Sequence, residues 1–212
     1  MKAQAIVFQA PLQLSVRTLE LRAPAMDDLE VEVLHSGIST GTERMLWDGS
    51  MPAFPGMGYP LVPGYETVGR VVRAASDEGL QPGQRVFVPG ANCFTGVKSL
   101  FGGAASRLVV TGQKVVPVAE HLGAQAVLLA LAATAYHATS RAGTQQPDLI
   151  VGHGVLGRMI ARLAVIAGAK PVVWESNPER RTGALGYSTV DPDGSGSRCY
   201  NVGSNVWFCR SG

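Results

Sequence analysis

Along the first half of the chain, short apolar runs (AIVF, LEVEVL, TVGRVV, RVFV and SRLVVT) are separated by turn residues, with glycine and proline concentrated between them. From Leu29 to Leu34 apolar and charged side chains alternate, the period-two pattern of a strand with one wet face. The stretch VGRVVRAASDEGLQPGQRVFV reads as two strands joined by an acidic, glycine-bearing loop. This half is therefore expected to be a small all-β unit. Between Thr40 and Gly64 the pattern lapses into a long loop rich in proline and glycine that carries Trp47, Met51, Phe54, Met57 and Tyr59. Loops of that length in compact domains usually serve a function. Its aromatics suit either a ligand or packing of the loop on its own domain.

From Gly123 to Arg141 the period changes. AQAVLLALAATAYHATSR is rich in alanine and leucine and apolar all round, which predicts a buried helix joining two units. Beyond it, DLIVGHGVLGRMIARLAVIAGAKPVVWES gives a strand, a glycine turn, a helix, a glycine stop and a second strand, a βαβ unit. Met159, Ile160, Leu163, Ile166 and Ala167 are expected to lay its helix on the sheet, and NPERRTGALGYSTVDP continues the pattern weakly. The last twenty residues show neither period and read as a shifted reading frame rather than a natural ending. The expected division is thus 1–122, a joining segment 123–146, a partial nucleotide-binding unit 147–192, and a tail 193–212.

With 46% hydrophobic content over 212 residues the chain has enough apolar material for a core, so disorder is excluded. A formal charge of +2 spread along the sequence gives no footprint for nucleic acid or an anionic membrane. Three cysteines without a CxxC pair argue against a disulfide scaffold and a structural zinc knuckle, and favour a reducing, cytoplasmic location. The N-terminus lacks the apolar core of a signal peptide, and Ala126–Ala133 is too short to span a bilayer.

Gly152, Gly154 and Gly157 spell G-x-G-x-x-G between strand and helix. The first glycine closes the strand and the second lets a pyrophosphate approach the backbone. The third admits close packing of the helix, whose N-terminus, with Val155 and Leu156, supplies N–H groups. Glu175 ends the next strand at the offset where a carboxylate accepts the ribose hydroxyls of an adenosine, which favours NAD over NADP. Arg180 and Arg181, just beyond, leave a 2′-phosphate open as the alternative. His153 is expected beside a phosphate.

Gly64-Tyr65-Glu66-Thr67-Val68-Gly69, Pro82-Gly83-Gln84-Arg85-Val86 and Gly102-Gly103-Ala104-Ala105 resemble motifs of the medium-chain dehydrogenase/reductase superfamily. The resemblance implies a GroES-like β-barrel domain followed by a Rossmann domain, here partial, and a nicotinamide cofactor that also meets Thr134 of the joining helix. The segment SGISTGTERMLWDGSMPAFPGMGYPLVPGYETVGRVV narrows it to a branch acting on a bacteriochlorophyllide. That implies a flat tetrapyrrole substrate, covered by Trp47, Met51, Phe54, Met57 and Tyr59, whose 3-(1-hydroxyethyl) group is oxidised to acetyl.

Where zinc-dependent members carry their ligands this sequence has Thr40, Tyr65 and Ala130, so no metal is expected and protein groups must move the proton. Thr40, Tyr65, Glu66 and His137 are the candidates. Three of them also have a structural reading: Glu66 paired with Arg70 or Arg44, Tyr65 as packing, His137 as an ordinary helix residue. The competing functions are a zinc-less quinone or enone reductase and a non-catalytic GroES-like binding module. A homodimer is admitted by either enzyme reading.

Overall fold

The computed structural model describes residues 1–74, 79–140, 145–194, 198–201 and 207–210, the last two ranges by their backbone. Alternation at the N-terminus builds the first strand: Ala3, Ala5 and Val7 are buried while Lys2 and Gln4 face solvent, giving β1 (Lys2–Ala10). The chain turns at Leu12 and returns antiparallel as β2 (Gln13–Glu20), with Lys2 opposite and ion-paired to Glu20 at 3.3 Å. The predicted half-wet strand is β3 (Asp28–Ser36), in which Leu29 and Val31 are fully buried and Glu32 is exposed.

Next come α1 (Thr42–Asp48), β4 (Leu61–Pro63), β5 (Thr67–Arg73), β6 (Arg85–Val88), β7 (Lys98–Leu100), β8 (Arg107–Thr111) and β9 (Val116–Pro117). They form a four-stranded sheet in the order β2-β1-β4-β7 and a five-stranded sheet in the order β8-β3-β5-β6-β9. The apolar faces of these strands share one core, in which Val7, Leu29, Val31, Val62, Val86 and Leu108 are fully buried.

The segment read as an aperiodic loop holds the seven-residue α1 and the strand β4. Two turns of helix are too short for a 3.6-residue period to show among prolines and glycines. Leu46 of α1 seals a smaller core with Phe8, Leu61 and Leu100, and Met51, Met57 and Tyr59 pack against it.

Two of the sequence motifs meet in space. The Thr67 hydroxyl donates to the Gly103 carbonyl at 3.0 Å, while the Gly103 and Ala104 amides donate to the carbonyls of Gly64 (2.8 Å) and Pro63 (2.9 Å). Gly64 lies at φ +102°, and a β-carbon there would stand 2.7 Å from the Ala104 nitrogen. One at Gly103 would collide with the Thr67 hydroxyl and come within 2.8 Å of the Gly64 oxygen. The proline-glycine turn before β6 presents the buried Arg85, whose guanidinium donates to the Gly123 carbonyl at 2.5 Å.

Residues Met1–Ala130 make one compact unit and Leu131–Gly212 another. A 3-10 run, Glu120–Leu128, broken at Gly123, leads into α2 (Leu129–Ser140). Expected to be buried, α2 hides only Ala135 and Thr139, and Tyr136 is 62% exposed. Its small and large apolar residues are spread around the axis, so no single stripe is pressed down. The helical stretch Glu120–Ser140, 21 residues with a mean hydropathy of 1.2, is long and apolar enough to cross a membrane by length and composition alone. The stretch is broken at Gly123 and the core helix of a globular protein passes the same test, so the expectation drawn from Ala126–Ala133 is not overturned.

The second unit places β10 (Leu149–Val151), α3 (Val155–Ile166), β11 (Val172–Trp174) and β12 (Ser188–Val190) in a parallel sheet of order β10-β11-β12. The face of α3 differs from expectation. Ala161 and Ala164 are its fully buried positions and Ile166 is 81% exposed, because close helix-to-sheet approach selects the small side chains. In the supposedly aperiodic tail, β13 (Arg198–Asn201) pairs antiparallel with β14 (Trp207–Arg210). Runs of four residues are too short to register as a period.

Candidate functional site

In the first unit a cavity of about 460 Å³ opens beside α1, lined by Thr42, Leu46, Met51, Phe54, Tyr65, Pro89, Leu100 and Phe101. Its lining is mostly apolar, and Thr42 and Tyr65 are the two residues in it that carry a side-chain hydroxyl. The Tyr65 ring meets Phe101 edge to face, with centroids 5.5 Å apart, which fixes the direction of the phenol. Of the residues expected against a substrate, Met51 and Phe54 are on this wall. Met57 and Tyr59 instead pack on the small core, with the Tyr59 hydroxyl donating to the Leu46 carbonyl, and Trp47 points outward, 41% exposed. Thr40 is exposed in the turn before α1, and Thr42, at the start of that helix, turns inward in its place.

Among the described residues, Glu66 pairs with no arginine. Arg70 makes a two-pronged bond to Glu120 (2.7 and 2.8 Å), while Glu66 is buried with its Oε1 lacking a hydrogen-bond partner among the described residues. The missing side chain of Gly37 makes its space: a β-carbon there would be 2.5 Å from Glu66 Oε2. Burial pushes the Glu66 carboxyl above its ordinary pKa, with a hydrogen bond from Tyr65 acting in the opposite sense.

A second buried carboxylate, Glu43, went unnoticed in the sequence. It accepts from the Ser39 amide at 2.9 Å and is also raised by burial, with the charge of Glu66 adding to the effect. A carboxylate is favoured in the first turn of a helix, but α1 is too short to show in the sequence, so Glu43 carried no signal there.

The nucleotide turn lies in the second unit. Gly152 leaves β10 at φ +94° with its amide donating to the Trp174 carbonyl at 2.7 Å, and Gly154 caps α3 in an extended conformation. Nothing lies within 4 Å of where a β-carbon would project at either residue, so the turn is an open cradle. At Gly157 a β-carbon would collide with the Gly152 carbonyl. Val155 and Leu156 are exposed at the mouth of the helix. These residues fit a pyrophosphate.

Glu175 is buried at the end of β11, its carboxylate accepting from the amides of His153 (2.8 Å) and Asn177 (2.9 Å). The Asn177 and His153 bonds hold its pKa below the ordinary carboxylate range. Arg181 is occupied by the carbonyls of Glu175 and Ser176 and by Asp191 (2.6 Å), whereas Arg180 is exposed beside Glu175.

His153 departs from its expected place beside a phosphate. Its ring is 1% exposed and turned inward, with Nδ1 2.5 Å from the Arg180 carbonyl and Nε2 2.7 Å from the Tyr187 hydroxyl. Thr134 and His137 are exposed on α2. Ala130 closes the first unit, packed against the cluster of Val68, Phe87 and Ala126. Among the described residues no three metal-binding side chains gather.

A β unit with an apolar cavity and a βαβ unit with an open glycine turn match the two parts of a medium-chain dehydrogenase in kind and order. Residues 25–120 match the alcohol dehydrogenase GroES-like domain, and a GroES-like unit followed by a dinucleotide-type parallel sheet is the order of units in the medium-chain dehydrogenase/reductase superfamily, which the chain resembles. The chain is 53% identical over 204 residues (95% of its length) to the 2-desacetyl-2-hydroxyethyl bacteriochlorophyllide A dehydrogenase of Rhodobacter capsulatus. It is 52% identical over 198 residues (91%) to the protein of that name from Cereibacter sphaeroides. It spans 65% and 62% of the lengths of these two relatives. The crystal structure of 2R,3R-butanediol dehydrogenase from Bacillus subtilis has the same fold, with a TM-score of 0.76 over 92% of this chain and 64% of that one at 22% identity.

Proposed function

We propose that this chain belongs to an NAD-dependent, zinc-independent dehydrogenase that oxidises the 3-(1-hydroxyethyl) group of a bacteriochlorophyllide to acetyl. The observation that carries the reading is the 53% identity over 95% of the chain, which includes the Thr40–Gly64 segment that builds one wall of the cavity. At about 460 Å³ the cavity suits the hydroxyethyl-bearing edge of a macrocycle, with Phe54 and Phe101, both partly exposed, offering aromatic surface to the rest.

Thr42 and Tyr65 are the polar groups that would hold the substrate hydroxyl. Behind them Glu66, its pKa raised by burial, is a suitable sink for the hydroxyl proton passed through Tyr65. When bound, the nicotinamide supplies the acceptor for the hydride, so that two hydrogens leave the carbinol as hydride and proton. Gly152, Gly154, Val155, Leu156 and Gly157 would hold the pyrophosphate, with Glu175 at the adenosine ribose. Hydroxyl, phenol and methyl side chains at Thr40, Tyr65 and Ala130 are poor zinc donors, which supports proton transfer by protein groups.

The test is incubation of the purified protein with the hydroxyethyl pigment and NAD. Loss of two hydrogens from the pigment by mass spectrometry, with stoichiometric NADH, is the expected result. NADPH-dependent reduction of small enones without pigment oxidation would overturn it in favour of a reductase.

A further inference from the structure

The glycine turn and the strand-end acid are tied together by one buried side chain. A carbonyl oxygen can only accept, so His153 Nδ1 carries the proton it gives to Arg180, and in the neutral ring Nε2 accepts from the Tyr187 hydroxyl. The same residue's amide donates to Glu175 Oε2, and its carbonyl accepts from Arg158 Nε at 3.0 Å. Arg158 then reaches on to the Arg180 carbonyl at 2.9 Å. All the polar groups of residue 153 are therefore spent on four segments: the end of β11, the turn at Arg180, Tyr187 before β12, and Arg158 of α3.

We propose that His153 is the positioning residue that sets cofactor preference in this site. It pins the Arg180 backbone so that the ribose acid faces the cradle while the Arg180 guanidinium stays outside. The inference rests on the nucleotide reading given above. Loss of the Nδ1 bond leaves the Arg180 carbonyl to Arg158 alone, which loosens the 176–182 turn, lets the Arg180 side chain turn toward a 2′-phosphate, and slackens the Glu175 carboxylate. Preference for an unphosphorylated ribose then falls about tenfold, the value of one well-formed hydrogen bond lost to a buried group.

The experiment uses two mononucleotide probes, 5′-AMP and 2′,5′-ADP, titrated calorimetrically into the full chain and its variants, with melting temperature followed in parallel. An asparagine amide reaches the position of Nδ1 and a glutamine amide that of Nε2. His153→Asn is accordingly expected to keep the wild-type ratio of the two affinities, and His153→Gln to lose it about tenfold. A ratio unchanged in His153→Gln, or lost equally in both variants, overturns the proposal while leaving the nucleotide site standing. Wild-type protein that binds neither probe overturns the nucleotide reading and this one with it. Stability alone does not discriminate between the two probes, so a merely structural role for His153 leaves the ratio unmoved.

Discussion

Gly157 in α3 and Gly168 just beyond it separate close approach from backbone strain, and the fold assigns them different consequences. Gly157 sits in the first turn of the helix, where a β-carbon collides with the Gly152 carbonyl oxygen, lies 3.0 Å from its carbon, and touches Ile150 at 3.7 Å. The obstacle is backbone, held by the Gly152 amide bond to Trp174, so the helix start must move rather than a side chain. Overpacking of this kind costs about 1–3 kcal/mol, offset by the ~1 kcal/mol that alanine gains over glycine inside a helix. Gly168 follows the same helix at φ +88° with open space around it, so alanine there meets only left-handed strain of about 1–2 kcal/mol.

Gly157→Ala and Gly168→Ala should therefore lower the melting temperature by similar amounts, about 2–6 °C each for a chain of this size. Their effects on ligand should part. A displaced helix start moves the amides that face a pyrophosphate, and misplacement on the order of 1 Å costs up to about a hundredfold. Calorimetric titration with ADP should show at least a tenfold loss in Gly157→Ala and none in Gly168→Ala. Wild-type affinity in Gly157→Ala, or an equal loss in both, refutes the assignment of this turn to the nucleotide.

Three further outcomes follow from the two sites. Glu43 and Glu66 have pKa values raised by burial, so each binds more protons folded than unfolded; stability falls as pH rises from the unfolded toward the folded pKa, and Glu66→Gln should flatten that fall in denaturation series taken from mildly acid to alkaline pH. Glu175 has the opposite sign: its pKa is lowered by two backbone amides, so its contribution is present above the unfolded pKa and is lost as pH falls through the folded one, a dependence Glu175→Gln should remove. Tyr65→Phe keeps the ring against Phe101 and deletes the phenol oxygen with its hydrogen bond to Glu66, so pigment oxidation should drop at least about tenfold while stability falls by about 1–3 kcal/mol, the cost of one hydrogen bond to a buried carboxyl.

What the sequence disclosed follows from which side chains report on their own backbone. Leu29 to Leu34 announced β3 because one face is buried and the other wet, whereas β2, an edge strand with Leu19 as its one buried residue, had too little contrast to show. The helix α3 was legible, but its contact residues were not, since alanines set the distance to the sheet and larger neighbours only flank it. Gly152 and Gly157 were readable because backbone conformation and close approach demand glycine there. Thr42, Glu43 and His153 were not, because their roles depend on segments far away in the chain: the cavity wall at Leu100 and Phe101, the carboxylate of Glu66, the turn at Arg180.

The crossing of Gly64–Thr67 with Gly103–Ala104 has an evolutionary corollary. Each segment fills the space a β-carbon would need on the other, so a substitution in one is tolerated only with a compensating change in its partner some forty positions away. The two motifs drift together or not at all, and double-mutant cycles across them should be strongly non-additive. The cavity wall contributed by Met51 and Phe54 carries no such interlock. Selection for a new substrate therefore has an adjustable surface mounted on an interlocked crossing, and new specificities are expected to arise by exchange of that wall rather than by revision of the crossing.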